Sequence, residues 1–322
     1  MLLKKIPPLF YVLILIAEII LLPHAHTLSS LELTLTTHKP TYYIGENVYI
    51  YGNLTLDGNL VTDGLVGLEV DTPIDSRLLI RTLTTNTTPT ENWLIEVLNV
   101  VPCDQDGKPK NTFAAGTFAH FNVTVKNNDI ELRQVLITIN IYDYSRAPLG
   151  VSSYEFPIKE NTTELVRISF PISTKSANGL ATVYANAYSD RPRMGGKPYC
   201  PEKSNTLQIT GGITASPNPI QQELIKGNYN MTFKLSMERQ LGTYNVYATA
   251  IYQGLPALNI TTFQINVLGD ANGDGVVDGK DAGILGLHWP PQPYDPQCDF
   301  NSDGVIDGKD AGIMGANWGY GT

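Results

Sequence analysis

The chain has 322 residues, with 22 lysines and arginines against 31 aspartates and glutamates, for a formal net charge of −9. An acidic chain with no basic cluster excludes nucleic acid as a partner on electrostatic grounds. The length suits two to four modest domains.

The N-terminus opens on a short positive head, Met1-Leu-Leu-Lys-Lys5. An apolar run follows, Tyr11–Ala17 and Ile19–Leu22, broken only by Glu18. This pattern predicts a secretory signal peptide over residues 1–26. The run approaches spanning length, so a retained N-terminal anchor is the alternative. Both readings place the bulk of the chain outside the cell or on its surface. Contact with a membrane would then come only through an uncleaved N-terminus.

From residue 28 to 267 the hydrophobic period is two. Leu31–Thr37, Val48–Tyr51, Ala119–Val125, Val135–Tyr142 and Tyr244–Tyr252 alternate apolar with polar residues. Turn signals separate them, among them Gly45-Glu-Asn, Asp57-Gly-Asn and Asn127-Asn-Asp. Short strands at such intervals predict tandem antiparallel β-sandwiches. The expected units are 28–94, 95–210 and 211–267. The last is either a short β domain of its own or the completion of the second unit.

Within the first unit, Thr37-His-Lys-Pro-Thr-Tyr-Tyr-Ile-Gly-Glu-Asn-Val-Tyr-Ile-Tyr-Gly52 resembles the opening of macroglobulin-type and related immunoglobulin-like (Ig-like) domains of surface proteins. In those domains the stretch leads one strand through a turn into the next. The resemblance implies a fold and no activity.

Cys103 and Cys200 bracket the second unit, and an exported chain makes a disulfide between them plausible. Cys298 has no evident mate. Six Asn-x-Thr sequons stand at Asn53, Asn86, Asn122, Asn161, Asn230 and Asn259; each is a candidate glycan acceptor. No nucleophile elbow, zinc-binding His pair or Cys–His neighbourhood appears. His120 falls inside an alternating strand and reads as a strand-face residue. Glu155, Glu160, Glu164 and Asp190 read as a solvated rim rather than the carboxylate pair of a glycosidase. The chain is therefore expected not to be an enzyme. Its tyrosines leave open a carbohydrate-binding face.

The C-terminus repeats itself. Asp270–Asp281 and Asp299–Asp310 place oxygen-bearing side chains at loop positions 1, 3, 5, 9 and 12, with glycine at position 6. That spacing wraps a loop round a hard cation. The expected ligands of the first Ca2+ are Asp270, Asn272, Asp274, the Val276 carbonyl, Asp278 and Asp281. Those of the second are Asp299, Asn301, Asp303, the Val305 carbonyl, Asp307 and Asp310. The clustered carboxylates should repel one another without a cation. A helix is expected after each loop, roughly Asp281–Trp289 and Asp310–Trp318, and none before. Gly283 and Gly286, like Gly312 and Gly315, share a helix face and are expected to let the two helices approach, with Ile284, Leu285, Ile313 and Met314 filling the seam. Trp289 and Trp318 are expected in the core, with one exposed tryptophan acting as a binding anchor the alternative.

Duplicated loop-then-helix units with Asp at position 12 resemble a dockerin module, over about residues 268–322. The resemblance implies two calcium sites, two near-symmetric helices and a cohesin-like partner on a scaffold or surface protein. Family members read that partner with loop positions 10 and 11, here Gly279-Lys280 and Gly308-Lys309. Many belong to polysaccharide-degrading assemblies, which makes polysaccharide a further candidate partner. A calcium-stapled cap with no partner is the plainer alternative, since so small a core needs a staple. The expected architecture is mainly β: tandem antiparallel Ig-like β-sandwich domains followed by a small α-helical two-loop calcium module.

Overall fold

In the computed structural model, residues 29–87, 93–215, 227–236, 239–301 and 303–321 are described. The expected signal peptide lies outside them. Among the described residues no helix is long and apolar enough to cross a membrane.

The fold is mainly β. The first strands are β1 (Leu31–Leu33), β2 (Thr36–Thr37), β3 (Thr41–Tyr43), β4 (Asn47–Gly52), β5 (Leu54–Leu56), β6 (Asn59–Leu60), β7 (Leu65–Asp71) and β8 (Arg77–Thr84). The next are β9 (Ile95–Cys103), β10 (Thr112–Ala114), β11 (Phe118–Asn127), β12 (Arg133–Tyr142), β13 (Pro148–Ile158), β14 (Thr163–Pro171), β15 (Gly179–Tyr188) and β16 (Lys203–Thr210). The last are β17 (Tyr229–Lys234), β18 (Gly242–Tyr252) and β19 (Leu255–Asn266). Two helices follow, α1 (Gly279–Leu287) and α2 (Gly308–Ala316).

A five-stranded sheet in the order β3-β19-β18-β7-β8 and a three-stranded sheet β17-β4-β2 share one core. Tyr42, Val48, Ile50, Leu68, Val70, Phe233, Tyr244, Val246 and Phe263 fill it. These are alternate residues of their strands, as the pleat requires when one face is buried. A second pair of sheets, β10-β16-β15-β12-β13 and β14-β11-β9, encloses Val97, Phe121, Val123, Ile137, Ile139, Ile168, Phe170 and Val183.

The pairing corrects one expectation. Beyond Ile213, which bridges to Ala177 of the second unit, the strands of the expected 211–267 unit neither stand alone nor complete the second. β17 pairs with β4 along its whole length, from Tyr229↔Gly52 to Lys234↔Asn47. β18 pairs with β7, and β19 runs parallel to β3. The chain leaves the first set of sheets, builds the second and returns to finish the first.

The two sets meet at the edge strand β8. Its outward backbone groups would be orphaned if buried without partners. Asn140 and Asn186, from β12 and β15, supply the missing bonds. Asn140 Oδ1 accepts from Ile80 N at 2.7 Å, and its Nδ2 donates to Ile80 O at 2.6 Å. Asn186 Oδ1 accepts from Thr82 N at 2.8 Å. Arg81 forks onto Glu202 at 2.7 and 2.5 Å and lies over the Tyr184 ring, 3.4 Å from its centroid. Two fully buried carboxylates on β7, Glu69 and Asp71, receive Arg191 and Arg193 from the β15–β16 connection. Gly67 on β7 admits the Tyr188 ring: a Cβ there would stand 2.6 Å from it.

The cysteine expectation is also corrected. Cys103, Cys200 and Cys298 are free thiols. Cys200 Sγ sits against Val97 N. Val97 and Cys103 are six residues apart on β9, which is roughly 20 Å of extended strand. No bridge reaches across that distance.

Candidate metal centre

The two loops share most of their internal hydrogen-bonding pattern. Gly275 and Gly304, at position 6, have φ of 86° and 84°, the left-handed turn that the spacing requires. Asp270 accepts from Gly273 N and Gly275 N, both at 2.8 Å. Its counterpart Asp299 accepts from Asp303 N at 3.1 Å and Gly304 N at 2.8 Å. Asn272 Oδ1 and Asn301 Oδ1 accept from the N–H groups of Asp274 and Asp303, at 2.7 and 2.9 Å.

Position 12 closes each loop onto its own start. Asp281 is fully buried and accepts from Ala271 N at 2.9 Å, Asn272 N at 3.1 Å and Asp278 N at 2.8 Å. Asp310, equally buried, accepts from Asn301 N at 3.3 Å and Asp307 N at 2.9 Å. Position 9 caps the following helix, since Asp278 and Asp307 accept from Lys280 N and Lys309 N at 2.7 Å. With positions 9 and 12 reciprocating, each helix starts in a capping box. This is why both helices begin two residues earlier than the sequence pattern suggests.

Position 11 supplies a cation of its own. Lys280 Nζ lies 3.0 Å from Asp274 Oδ2, and Lys309 Nζ lies 2.7 Å from Asp303 Oδ2. The lysines hold both carboxylates below the usual aspartate range. Position 1 differs between the repeats. Burial pushes the Asp270 carboxyl up. Burial opposes Asp299 too, but hydrogen bonds from the Tyr294 hydroxyl and from loop N–H groups hold its carboxyl down. Tyr294 has no counterpart before the first loop, where Ile265 stands.

The expected mutual repulsion of the carboxylates is thus answered by backbone N–H groups and by two lysines. In kind the donors fit a hard cation: carboxylates, an amide and a carbonyl on a glycine-turned loop. Among the described residues, however, no three His, Cys, Asp or Glu side chains stand close enough together to hold a metal ion. A cavity of about 290 Å³ opens beside the first loop, lined by Asp270, Asn272, Tyr43 and Phe300.

The loops share a small core with the strands that precede them. Val267, Ala271, Val277, Leu285, Cys298, Phe300, Ile306 and Met314 form it, and Leu241 of the first set of sheets packs against it. After α2 the chain returns to the first loop. Gly319 N donates to Val277 O at 2.9 Å, and Val277 N donates to Tyr320 O at 3.1 Å. The equivalent residues after α1 are Pro290 and Pro291, which have no N–H to donate.

Two expectations about the helices fail. Gly283, Gly286, Gly312 and Gly315 do not line a seam: a Cβ on any of them would meet nothing within 4 Å. Leu285 and Met314 point inward, and Ile284 and Ile313 pack against the same core, as residues expected in the seam. Trp289 and Trp318 are not core residues but are 38% and 55% exposed, and Leu287 is 70% exposed. Each helix therefore shows solvent a face of bare backbone ending in a tryptophan. Gly279-Lys280 and Gly308-Lys309 lie at the start of those faces, with both lysines exposed.

Elsewhere, His120 is a strand-face residue on β11, 2.8 Å from Ser169 Oγ. A cleft of about 570 Å³ opens where the two sets of sheets meet. Tyr142, Tyr144, Tyr184 and Arg146 line it, with Thr182 and Asn230.

No family model matches the chain, and no curated protein matches it. Parts of it align with solved structures. The C-terminal domain of wzt aligns at 10% identity and a TM-score of 0.32, over 38% of this chain and 77% of that one. The Pseudomonas fluorescens alkylpurine DNA glycosylase AlkC aligns at 9% and 0.27, over 37% of this chain and 31% of that one. The β-glucosidase from Listeria innocua in complex with glucose aligns at 12% and 0.26, over 39% and 17%. At these scores the alignments carry no argument about fold or function.

Proposed function

We propose that this chain is an exported or cell-surface modular protein whose C-terminal module docks onto a partner when loaded with calcium. On this reading the strands are tandem Ig-like sandwiches, clamped together at β8 into a display body. Residues 268–322 are the dockerin-like module, and a cohesin-like domain is its partner. The ligands are the twelve residues named above, two Ca2+ in all. When bound, each ion would supply the positive charge these oxygens can surround, and Lys280 and Lys309, released from Asp274 and Asp303, would be free to meet a partner.

The observation that carries this reading is the duplicated outward face. Two helices present the same glycines, the same lysine and an exposed tryptophan, at equivalent places. A face without side chains lets a flat partner approach closely, and a half-exposed tryptophan is a common anchor at interfaces. Capture of the full chain on an immobilised cohesin-like domain, with and without chelator, tests it. Equal capture in both conditions would count against calcium-gated docking.

Leu241 favours a second reading. Its contact with the loop core ties the module to the strands, as a calcium-stapled cap without a partner would be tied. That reading expects calcium to raise the melting temperature with no capture. The tyrosine-lined cleft favours a third, a non-catalytic polysaccharide-binding subunit, because aromatic rings pack on sugar faces. A glycan array blank for the full chain would remove it.

A further inference from the structure

The six sequons are not equivalent in the fold. Asn161 stands at the turn between β13 and β14, with φ of 51°, and both it and Thr163 are exposed. Asn230 and Thr232 lie two apart on β17, both on the exposed side of that edge strand. Neither carboxamide has a hydrogen-bond partner among the described residues. Asn122 and Asn259 differ. Asn122 Nδ2 donates to Gly107 O at 2.9 Å while its Oδ1 accepts from Arg167 Nε at 3.1 Å. Asn259 Nδ2 donates to Leu33 O at 2.7 Å. Both asparagines, and the threonines two residues on, are half-buried. Asn53 has its oxygen tied to Asn228 N, and the sequon of Asn86 runs beyond the described residues, so neither enters the comparison.

We infer that Asn161 and Asn230 are N-glycan acceptors and that Asn122 and Asn259 are not. The donor is an oligosaccharide carried on a polyprenyl phosphate. Asn161 Nδ2 forms a bond to the anomeric carbon, and the bond from that carbon to the phosphate oxygen breaks. The electron pair leaves with the phosphate, and the amide gives up one proton. No oxidant or reductant is involved. The product needs a nitrogen free to carry a bulky, hydrated group on the solvent side. At Asn161 and Asn230 nothing has to move. At Asn122 and Asn259 the same nitrogen holds a neighbouring strand or loop, and a glycan there would break that bond.

The inference rests on export, so its test reads location and modification separately. The full chain, with its own N-terminus, is produced in cells that have a membrane oligosaccharyltransferase. Medium and cell fractions are then mapped by peptide mass. The expected result is chain in the medium with sugar on the Asn161 and Asn230 peptides, and none on the Asn122 and Asn259 peptides. Thr163→Ala should strip Asn161 alone and leave Asn230 occupied. Chain in the medium with Asn161 bare, or with Asn122 and Asn259 as fully occupied as Asn161, would overturn the inference and leave export standing. Chain held inside the cell without sugar would overturn export, and this inference with it.

Discussion

Lys280 sets its ammonium 3.0 Å from the carboxylate of Asp274, and Lys309 repeats the contact with Asp303 one loop later. Each lysine thereby takes up a carboxylate that the spacing assigns to calcium. A monovalent side-chain cation on an exposed carboxylate is a weak tie, but it competes with a divalent ion for the same oxygen. Lys280→Ala and Lys309→Ala should therefore each tighten calcium binding modestly in their own loop and leave the other loop unchanged. Calorimetric titration of each variant reads this directly. Weaker binding in the variants would mean that the lysines help the site rather than compete with it.

Asn140 should matter far more than an ordinary strand residue. Its amide answers both the N–H and the C=O of Ile80 in a buried junction. Asn140→Ala leaves Ile80 N orphaned, at about 1–3 kcal/mol, while Ile80 O keeps only the longer bond from Asn186 Nδ2 at 3.2 Å. Melting should fall by roughly 2–4 °C per kcal/mol for a unit of this size. Asn205→Ala is the control. It removes a half-buried side-chain bond to Val100 O and an exposed one accepted from Thr206 N, which water can replace, and its effect should be clearly smaller. Equal losses would mean that β8 finds other partners when Asn140 is gone.

Stability should also depend on pH through Glu69. Burial pushes its carboxyl up, against hydrogen bonds from Arg191 and Arg193 that pull it down. A carboxyl raised in the fold contributes stability that is fully present below its unfolded pKa. That contribution is lost as pH rises through the folded value. The window therefore opens near the ordinary glutamate range, roughly pH 4.3, and extends upward. The melting temperature of the native chain minus that of Glu69→Gln should fall as pH rises from about 4 toward neutrality. A difference that grows over that range would show that Arg191 outweighs burial.

All three cysteines should behave as shielded thiols. Burial pushes Cys200 and Cys298 up to about 11 and raises Cys103 as well. A thiol reagent should not react with the folded chain at neutral pH and should count three thiols after unfolding. Melting should not change with reductant. A count of one after unfolding would restore the Cys103–Cys200 bridge.

What the sequence showed and what it hid divide along one line. Alternation in Val48–Tyr51 or Ile137–Tyr142 is a local property of the strand, and it marked which residues face a core. Pairing partners are not local. β17 meets β4 across some 180 residues of chain, and nothing in Tyr229–Lys234 names that partner. The helix faces failed for a similar reason. Glycines three apart share a face, but the spacing does not say whether a neighbour or solvent covers it. Leu285 and Met314 took the inward side and left Trp289 and Trp318 outside. A signal for the true helix starts was present, since Asp278-Gly-Lys-Asp281 and Asp307-Gly-Lys-Asp310 have capping-box spacing. The calcium pattern absorbed those aspartates first.

Calcium uptake by the full chain is the measurement that bears most directly on the account. Calorimetry should show two ions bound, with affinities in the range of extracellular modules, roughly 0.1–1 mM. Asp270→Ala together with Asp274→Ala should leave one. No uptake at millimolar calcium would mean that N–H groups and lysines are all these aspartates ever hold, and docking gated by calcium would be contradicted.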